Sequence, residues 1–389
     1  MTGNIEVVVV GGGYAGVMAA NRLTRRDDVN VTLINARDSF VERIRLHQLV
    51  GGSHDAVADY QDVLADRVRL VVGTVSRIDA AGRSLVLASG DSVGYDYLIY
   101  AVGSGSAEPS VPGAAEFAYP IAGLEQAERL REAMSAAPPG AAITVVGAGP
   151  TGIETAAELG ELGRRVTLVS GVELGPYLHP RGRNAVAKRL AELSVTVLEH
   201  ARVTAVSRQA VHLADGRELP SGVTIWTAGF GVPDLARKSG LSTDVLGRLR
   251  TDETLTSVDD DRIVAAGDCA APSDRPFRMS CQAAGPLGMQ AAETVLSRIA
   301  GRRPAPIAVG FLGQCISLGR GRGIFQFARR DDTAVGVYLG GRAAAKLKEF
   351  VCWGTVKQLA VEARRPGALK RATVKDPRRA EALAGQEVG

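Results

Sequence analysis

The sequence predicts an α/β protein built from two copies of one parallel-sheet unit, with a small α+β segment at its end. Three observations carry this. The chain opens with a buried strand, a glycine-rich turn, a helix and a second strand, over residues 5–10, 11–16, 17–25 and 29–34. The same order returns over 143–146, 147–152, 153–162 and 166–169, an internal repeat of a domain type. From about Arg303 the pattern changes to strands with glycine turns. One long helical run follows over 343–365 and ends at Pro366-Gly367.

Between the two copies lie short β-rich runs at 68–78, 84–87 and 97–102, then a Pro/Gly-rich connection over 104–120 that reads as a hinge. The second copy continues through a helix at 183–193 and strands at 196–198 and 223–226, and a strand at 262–266 precedes Gly267-Asp268. Residues 1–120 and 231–302 are therefore expected to form one domain, interrupted by a second at 121–230, with 303–389 as the terminal segment.

Composition fits this reading. The 389 residues suffice for two or three packed domains, and 46% hydrophobic with 23% charged residues is a globular balance. Aromatics are only 5%, which leaves the core to Val, Leu, Ile and Ala. The net charge of +4 conceals an asymmetry, because residues 342–379 hold eleven Lys/Arg against three Asp/Glu. A basic end suits an anionic membrane surface or an acidic partner, while a solvated helical tail is the plainer reading. Nothing points to nucleic acid. The first strand follows Met1 too closely for a signal peptide, and no stretch approaches the roughly 20 apolar residues of a membrane span. A cytoplasmic protein is expected, at most peripheral on the inner face of the cell membrane. Cys269, Cys281, Cys315 and Cys352 stand isolated, so neither a disulfide framework nor a metal site is expected.

The glycine turns carry the chemistry. Gly11, Gly13 and Gly16, with Tyr14 and Ala15 between them, fit GxGxxG between a strand and a helix. The first glycine permits the tight turn, the second lets backbone N–H groups approach a pyrophosphate, and the third lets helix and strand pack closely. This is the dinucleotide-binding loop of a Rossmann unit. The ribose-gripping acid expected at the end of the second strand is replaced by Asn35, which can still bond a hydroxyl. The second loop is Gly147-Ala148-Gly149-Pro150-Thr151-Gly152, opening a helix that contains Glu154. Ser170 stands where its acid would be, with Arg164, Arg165, Arg181 and Arg183 nearby in sequence, so both NADH and NADPH are allowed. An Asp at the strand end Gly267-Asp268 can bond the ribityl chain of a flavin, and the helix at 282–299 can aim its N-terminus at the flavin ring.

Together these motifs resemble the two-dinucleotide-binding-domain flavoproteins, the pyridine nucleotide-disulfide oxidoreductase superfamily, over roughly residues 5–300. Residues 95–104, with Ala101 and Gly103, are similar to that family's Ala-Thr-Gly segment, and Trp226-Thr227-Ala228-Gly229 looks like its counterpart in the second unit. The resemblance implies a glutathione-reductase-like fold with FAD on the first loop, completed by Gly267 and Asp268, and NADH or NADPH on the second. It extends the expected cofactor contacts to Arg37, Arg43, Val75, Ser170 and Gly229.

Disulfide reductases of the family carry a redox cysteine just after the first unit's second strand. Residues 39–47 contain none, which argues against a thiol relay. The chain is most similar to the type II NADH dehydrogenase and apoptosis-inducing-factor-like branch. Ser280-Cys281-Gln282-Ala283 sits where that branch has an Ala-Gln pair beside flavin and quinone, with Cys in place of Ala. The resemblance implies catalytic roles for Gln282 and for Glu154, the latter on the nicotinamide side. The implied activity is hydride transfer from NAD(P)H to FAD, then two-electron reduction of a quinone. A soluble reductase for a small redox protein or specialised small molecule is the alternative, and a redox-sensing interaction protein is the reading from another class. A homodimer is compatible with all three. The terminal helix groups Ala343, Leu347, Phe350 and Val351 with Gln358 and Arg365, a weak apolar stripe that suits packing on the first unit better than a membrane interface. His47, in an Arg-rich stretch, is expected at the surface or as a cap.

Overall fold

The computed structural model describes residues 4–370 and 376–384. The chain begins with β1 (Ile5–Val10), whose four valines are buried, and passes through Gly11 into α1 (Tyr14–Leu23) and β2 (Val29–Asn35). After α2 (Leu46–Val50) come β3 (Val68–Val72) and β4 (Tyr97–Tyr100). The second unit contains β5 (Ala118–Pro120), α3 (Leu124–Ala136), β6 (Ala142–Val146), α4 (Pro150–Glu161), β7 (Arg165–Val169), α5 (Pro180–Glu192), β8 (Thr196–Leu198) and β9 (Val223–Trp226). The chain then returns through β10 (Ile263–Ala265) and α6 (Cys281–Ile299) to β11 (Gly313–Ser317), β12 (Gly323–Ala328), β13 (Ala334–Gly340) and α7 (Gly341–Arg364).

Two five-stranded sheets result, ordered β10-β4-β1-β2-β3 and β5-β9-β6-β7-β8, and every pairing in both is parallel. This is the α/β architecture predicted. Parallel strands need crossover connections that cover the sheet faces, which is why β1 and β6 read as continuous apolar runs. In each sheet the order reverses beside the strand that enters the glycine loop, so both loops open at a switch point where ligands bind in such folds. The crossings between units, Gly105–Ser106 and Phe230–Gly231, pair antiparallel with each other.

Several boundaries differ from expectation for physical reasons. Both motif helices begin about a turn early, at Tyr14 and Pro150, because Gly13 and Gly149 themselves serve as extended N-caps and Pro150 occupies the first helical position. The run expected at 68–78 breaks at Gly73-Thr74, and Val75–Asp79 joins a separate antiparallel sheet with Ser84–Leu87 and Ser92–Gly94. The terminal segment is an antiparallel meander, β11-β12-β13, followed by α7.

Packing welds distant segments together. A Cβ at Gly288 of α6 would lie 2.2 Å from Ala15 O of α1, so only glycine lets these helices approach so closely. The α7 helix also docks on α1, as expected. Asn21 Nδ2 donates to Leu359 O at 3.1 Å, and buried Arg22 pairs with Glu293 at 2.7 Å and with fully buried Glu362 at 2.8 Å. The same helix leaves Phe350 and Trp353 exposed, their ring centroids 5.8 Å apart. Among the described residues no helix is long and apolar enough to cross a membrane.

Candidate active site

The first loop is built around an open cradle. Gly11 has φ +104°, and a Cβ there would lie 2.3 Å from Ala101 O. A Cβ at Gly16 would lie 1.8 Å from Gly11 O. By contrast, a Cβ at Gly13 would meet nothing within 4 Å, and no side chain caps the α1 N-terminus behind it. Space, free N–H groups and the positive end of a helix dipole therefore coincide at Gly13, Tyr14 and Ala15, a combination that fits a pyrophosphate.

Asn35 has another task than the ribose contact expected of it. Its Oδ1 accepts from Gly12 N at 2.9 Å and its Nδ2 donates to Arg37 O at 2.9 Å, so it braces the loop from below. Arg37 pairs with Glu125 of α3. Gly73 N donates to Asn35 O, and buried Val75 follows just beyond the C-terminal edge of the sheet. On the other side, Arg43 Nη1 donates to Ser104 Oγ at 3.1 Å, and Ser104 Oγ donates to Asp268 Oδ2 at 2.7 Å. Gly103 (φ +70°) and Gly267 (φ +78°) turn the two strand ends that bring Ser104 and Asp268 together. Among the described residues no protein donor meets the second oxygen of Asp268, which leaves it for a ribityl hydroxyl. This arrangement fits FAD.

The second loop repeats the design. Gly147 has φ +109°, and a Cβ there would lie 2.7 Å from Thr227 Oγ1. A Cβ at Gly152 would lie 1.8 Å from Gly147 O. Gly149 faces only Tyr177 OH, 3.4 Å from its hypothetical Cβ, and the helix start at Pro150 and Thr151 has no side-chain cap. Ser170 is buried and turned onto its own turn, with Oγ 3.5 Å from Glu173 O. The arginines that suggested a 2′-phosphate site are mostly committed elsewhere. Arg164 donates to carbonyls of Met134, Ala137 and Pro138, and Arg164 and Arg165 sit at the start of β7, opposite the loop. Arg183 is forked on Glu173. Gly229, with φ +84°, turns the chain after β9.

Glu154 lies one turn into α4 in a buried polar cluster. Its Oε1 accepts from Lys348 Nζ at 2.8 Å and from Ser317 N at 2.9 Å, and its Oε2 lies 3.7 Å from His47 Nδ1. Lys348 and Ser317 hold the carboxyl below the usual range despite its burial, and Glu154 in return holds Lys348 above its ordinary value. Gln282, one residue into α6, is tied down. With its amide oriented by these neighbours, its nitrogen donates to Gly313 O at 2.9 Å and its oxygen accepts from Leu312 N at 3.0 Å. Ser280 Oγ caps the Ala283 N–H at 3.3 Å. Burial pushes the Cys269 thiol up to about 12 and the Cys281 thiol upward too, as neutral core cysteines.

His47 is not at the surface. It is only 4% exposed on α2, and among the described residues its Nε2 has no partner. Burial, against the pull of Glu154, lowers it to about 4 from 6.5. The unfolded chain therefore takes up a proton below about pH 6.5 that the folded protein refuses until about pH 4, so stability falls as pH drops through that window. The shift corresponds to about 3 kcal/mol. His47→Gln should flatten the pH 7 to pH 4.5 loss of urea-unfolding stability by about that amount. An unchanged slope would show that His47 does not titrate this way.

Sequence reasoning missed four contributors. Tyr60 OH donates to Gly12 O at 2.8 Å, Thr227 Oγ1 donates to Val146 O and Gly147 O, and Ser104 bridges Arg43 to Asp268. Lys348, far away in sequence, neutralises Glu154. Ser104 and Thr227 each belong to a segment already marked by a motif, whereas Tyr60 and Lys348 carry no local signal.

Comparison with known proteins identifies the family. Residues 5–292 match the model of the pyridine nucleotide-disulphide oxidoreductase family. A NADH dehydrogenase-like protein of Mycobacterium tuberculosis is 31% identical over 320 residues, covering 75% of this chain and 80% of that protein. The type II NADH:quinone oxidoreductase of the same organism is 29% identical over 346 residues, covering 77% and 74%. The NDH2 of Plasmodium falciparum, solved with NADH, superposes with a TM-score of 0.77 at 15% identity, covering 96% of this chain and all of that one. The chain belongs to the pyridine nucleotide-disulphide oxidoreductase family, and it is an oxidoreductase with FAD and NADH as cofactors.

Proposed function

We propose that this family member oxidises NADH and delivers the two electrons to a quinone reached from a membrane surface. Bound FAD supplies the two-electron acceptor for the nicotinamide hydride. The chain's own residues do the rest. The Gly13 cradle and the Arg43–Ser104–Asp268 bridge hold the flavin nucleotide, the Gly149 cradle holds NADH, and the Lys348–Glu154 pair places balanced charge beside the second loop. Gln282 fixes the start of the terminal meander against α6, closing the site from that side.

The observation that carries the acceptor assignment is the absence, among the described residues, of a thiol where disulfide reductases place theirs. The stretch after β2 offers Phe40, Glu42, Arg43 and Arg45. Without a thiol relay the electrons pass directly from flavin to the acceptor, and the similarity to a type II NADH:quinone oxidoreductase supports a quinone. The exposed Phe350–Trp353 pair, on a helix rich in Lys and Arg, suits contact with an anionic bilayer that carries quinone. The commitment of Arg164 and Arg183 to other partners favours NADH over NADPH as the donor.

The test is anaerobic stopped-flow reduction by NADH and by NADPH, followed by mixing with a water-soluble quinone. Fast bleaching by NADH with fast quinone-dependent recovery is expected. A sluggish quinone step after fast bleaching would overturn the acceptor and favour a redox protein.

A further inference from the structure

Three acids of α4, Glu154, Glu158 and Glu161, are spaced four and three residues apart and so share one face of the helix. The outer two meet the turn between β11 and β12. Ser317 N donates to Glu154, and Arg320 N donates to Glu161. Among the described residues the middle acid has no ion pair. Glu158 is 2% exposed, its Oε2 has no hydrogen-bond partner, and its Oε1 accepts from Ser53 Oγ at 2.7 Å. Ser53 itself is exposed, on the turn after α2. The space is built for this side chain, since a Cβ at Gly51 would lie 2.6 Å from Glu158 Cγ. A buried carboxyl thus touches a solvent-facing hydroxyl at one oxygen and leaves the other free, one helical turn from Glu154 and its neighbour His47.

Reduction of a quinone by NADH needs such a device. NADH, quinone and one proton give NAD⁺ and quinol. The hydride supplies two electrons and one of the quinol's two protons, and the other proton must come from solvent. The Glu154 cluster is closed off, with Glu154 and Lys348 each 7% exposed and His47 4%. We propose that Glu158 is the relay residue that carries this proton inward from Ser53 at the surface. The inference rests on the quinone reading above. Burial raises the Glu158 carboxyl above its ordinary value, in the direction that favours a proton-carrying group. The charged groups facing it are Glu154 and Glu161 on its own helix and Arg320 from the β11–β12 turn. Arg320 draws the carboxyl down, while the two acids push it up.

Glu158→Gln keeps the shape and removes the exchangeable carboxyl proton, and Ser53→Ala cuts the link to solvent from an exposed position. Both should bleach with NADH at the wild-type rate. Both should slow the quinone step at least about tenfold, with quinone KM unchanged and an enlarged solvent isotope effect on that step. Whatever pH dependence Glu158 gives the wild-type quinone step should be absent from Glu158→Gln. Quinone steps unchanged in both variants would overturn the relay alone. A wild-type protein that reduces no quinone would overturn the acceptor assignment and the relay with it.

Discussion

Gly149→Asp is expected to raise the KM for NADH at least about a hundredfold while the purified protein stays folded and flavin-loaded. The position tolerates a side chain, because the nearest atom to an added Cβ is Tyr177 OH at 3.4 Å. A carboxylate there, however, enters the space before the uncapped start of α4 and meets the negative pyrophosphate of NADH. Like charges so placed cost several kcal/mol, and each 1.4 kcal/mol is about tenfold in affinity. The matching change in the first loop, Gly13→Asp, should instead yield protein with little flavin, because that cradle is equally open. Flavin absorbance per protein, with steady-state kinetics in NADH, separates the two outcomes. If Gly149→Asp lost flavin and Gly13→Asp kept it, the assignment of the two loops would be reversed.

Lys348→Met should destabilise the fold by about 3–5 kcal/mol, because removing one partner of a buried ion pair strands the other charge. Glu154 would remain buried with only Ser317 N and a His47 that resists protonation. The double variant Lys348→Met/Glu154→Gln should recover more than half of the loss, since no unpaired charge is then left inside. Urea midpoints of the wild type, both single variants and the double variant provide the measurement. A single-variant loss below about 1 kcal/mol would mean that the pair is not charged as described.

The two predictions differ in how far the sequence alone supports them. Gly149 belongs to a motif whose meaning is local. Its glycines are required by close backbone approach within a dozen residues, so the loop, the flanking strand and the helix are legible in the order of residues itself. Gly267-Asp268 is legible for the same reason, as an apolar strand with a polar end. The cluster around Lys348 is not. His47, Glu154 and Lys348 lie on three helices, and their meeting depends on how α7 seats against α1 and on the meander between them, neither of which has a local signature. Asn35 shows a further limit. Residue type and position suggest a ribose contact, but hydrogen-bond capacity does not reveal that the amide also braces Gly12 N and Arg37 O. Some strands of the short antiparallel sheets, such as Ser92–Gly94 and Glu218–Pro220, also escape a reading of the sequence, since three residues carry too little alternation to stand out.

The contact of Gly288 with Ala15 has a consequence for biosynthesis. Helix α1 leaves the ribosome roughly 270 residues before its partner α6, a delay on the order of tens of seconds at about 5–20 residues per second. Nine of its ten residues are buried in the finished protein, so through that interval a strongly apolar helix waits without its cover. Strand β10, at the edge of the first sheet, also arrives late, whereas the second sheet, from β5 to β9, is synthesised as one continuous stretch. The nascent chain should therefore mature from its middle outward. The flavin pocket closes last, and the early segments lean on chaperones until the late ones emerge.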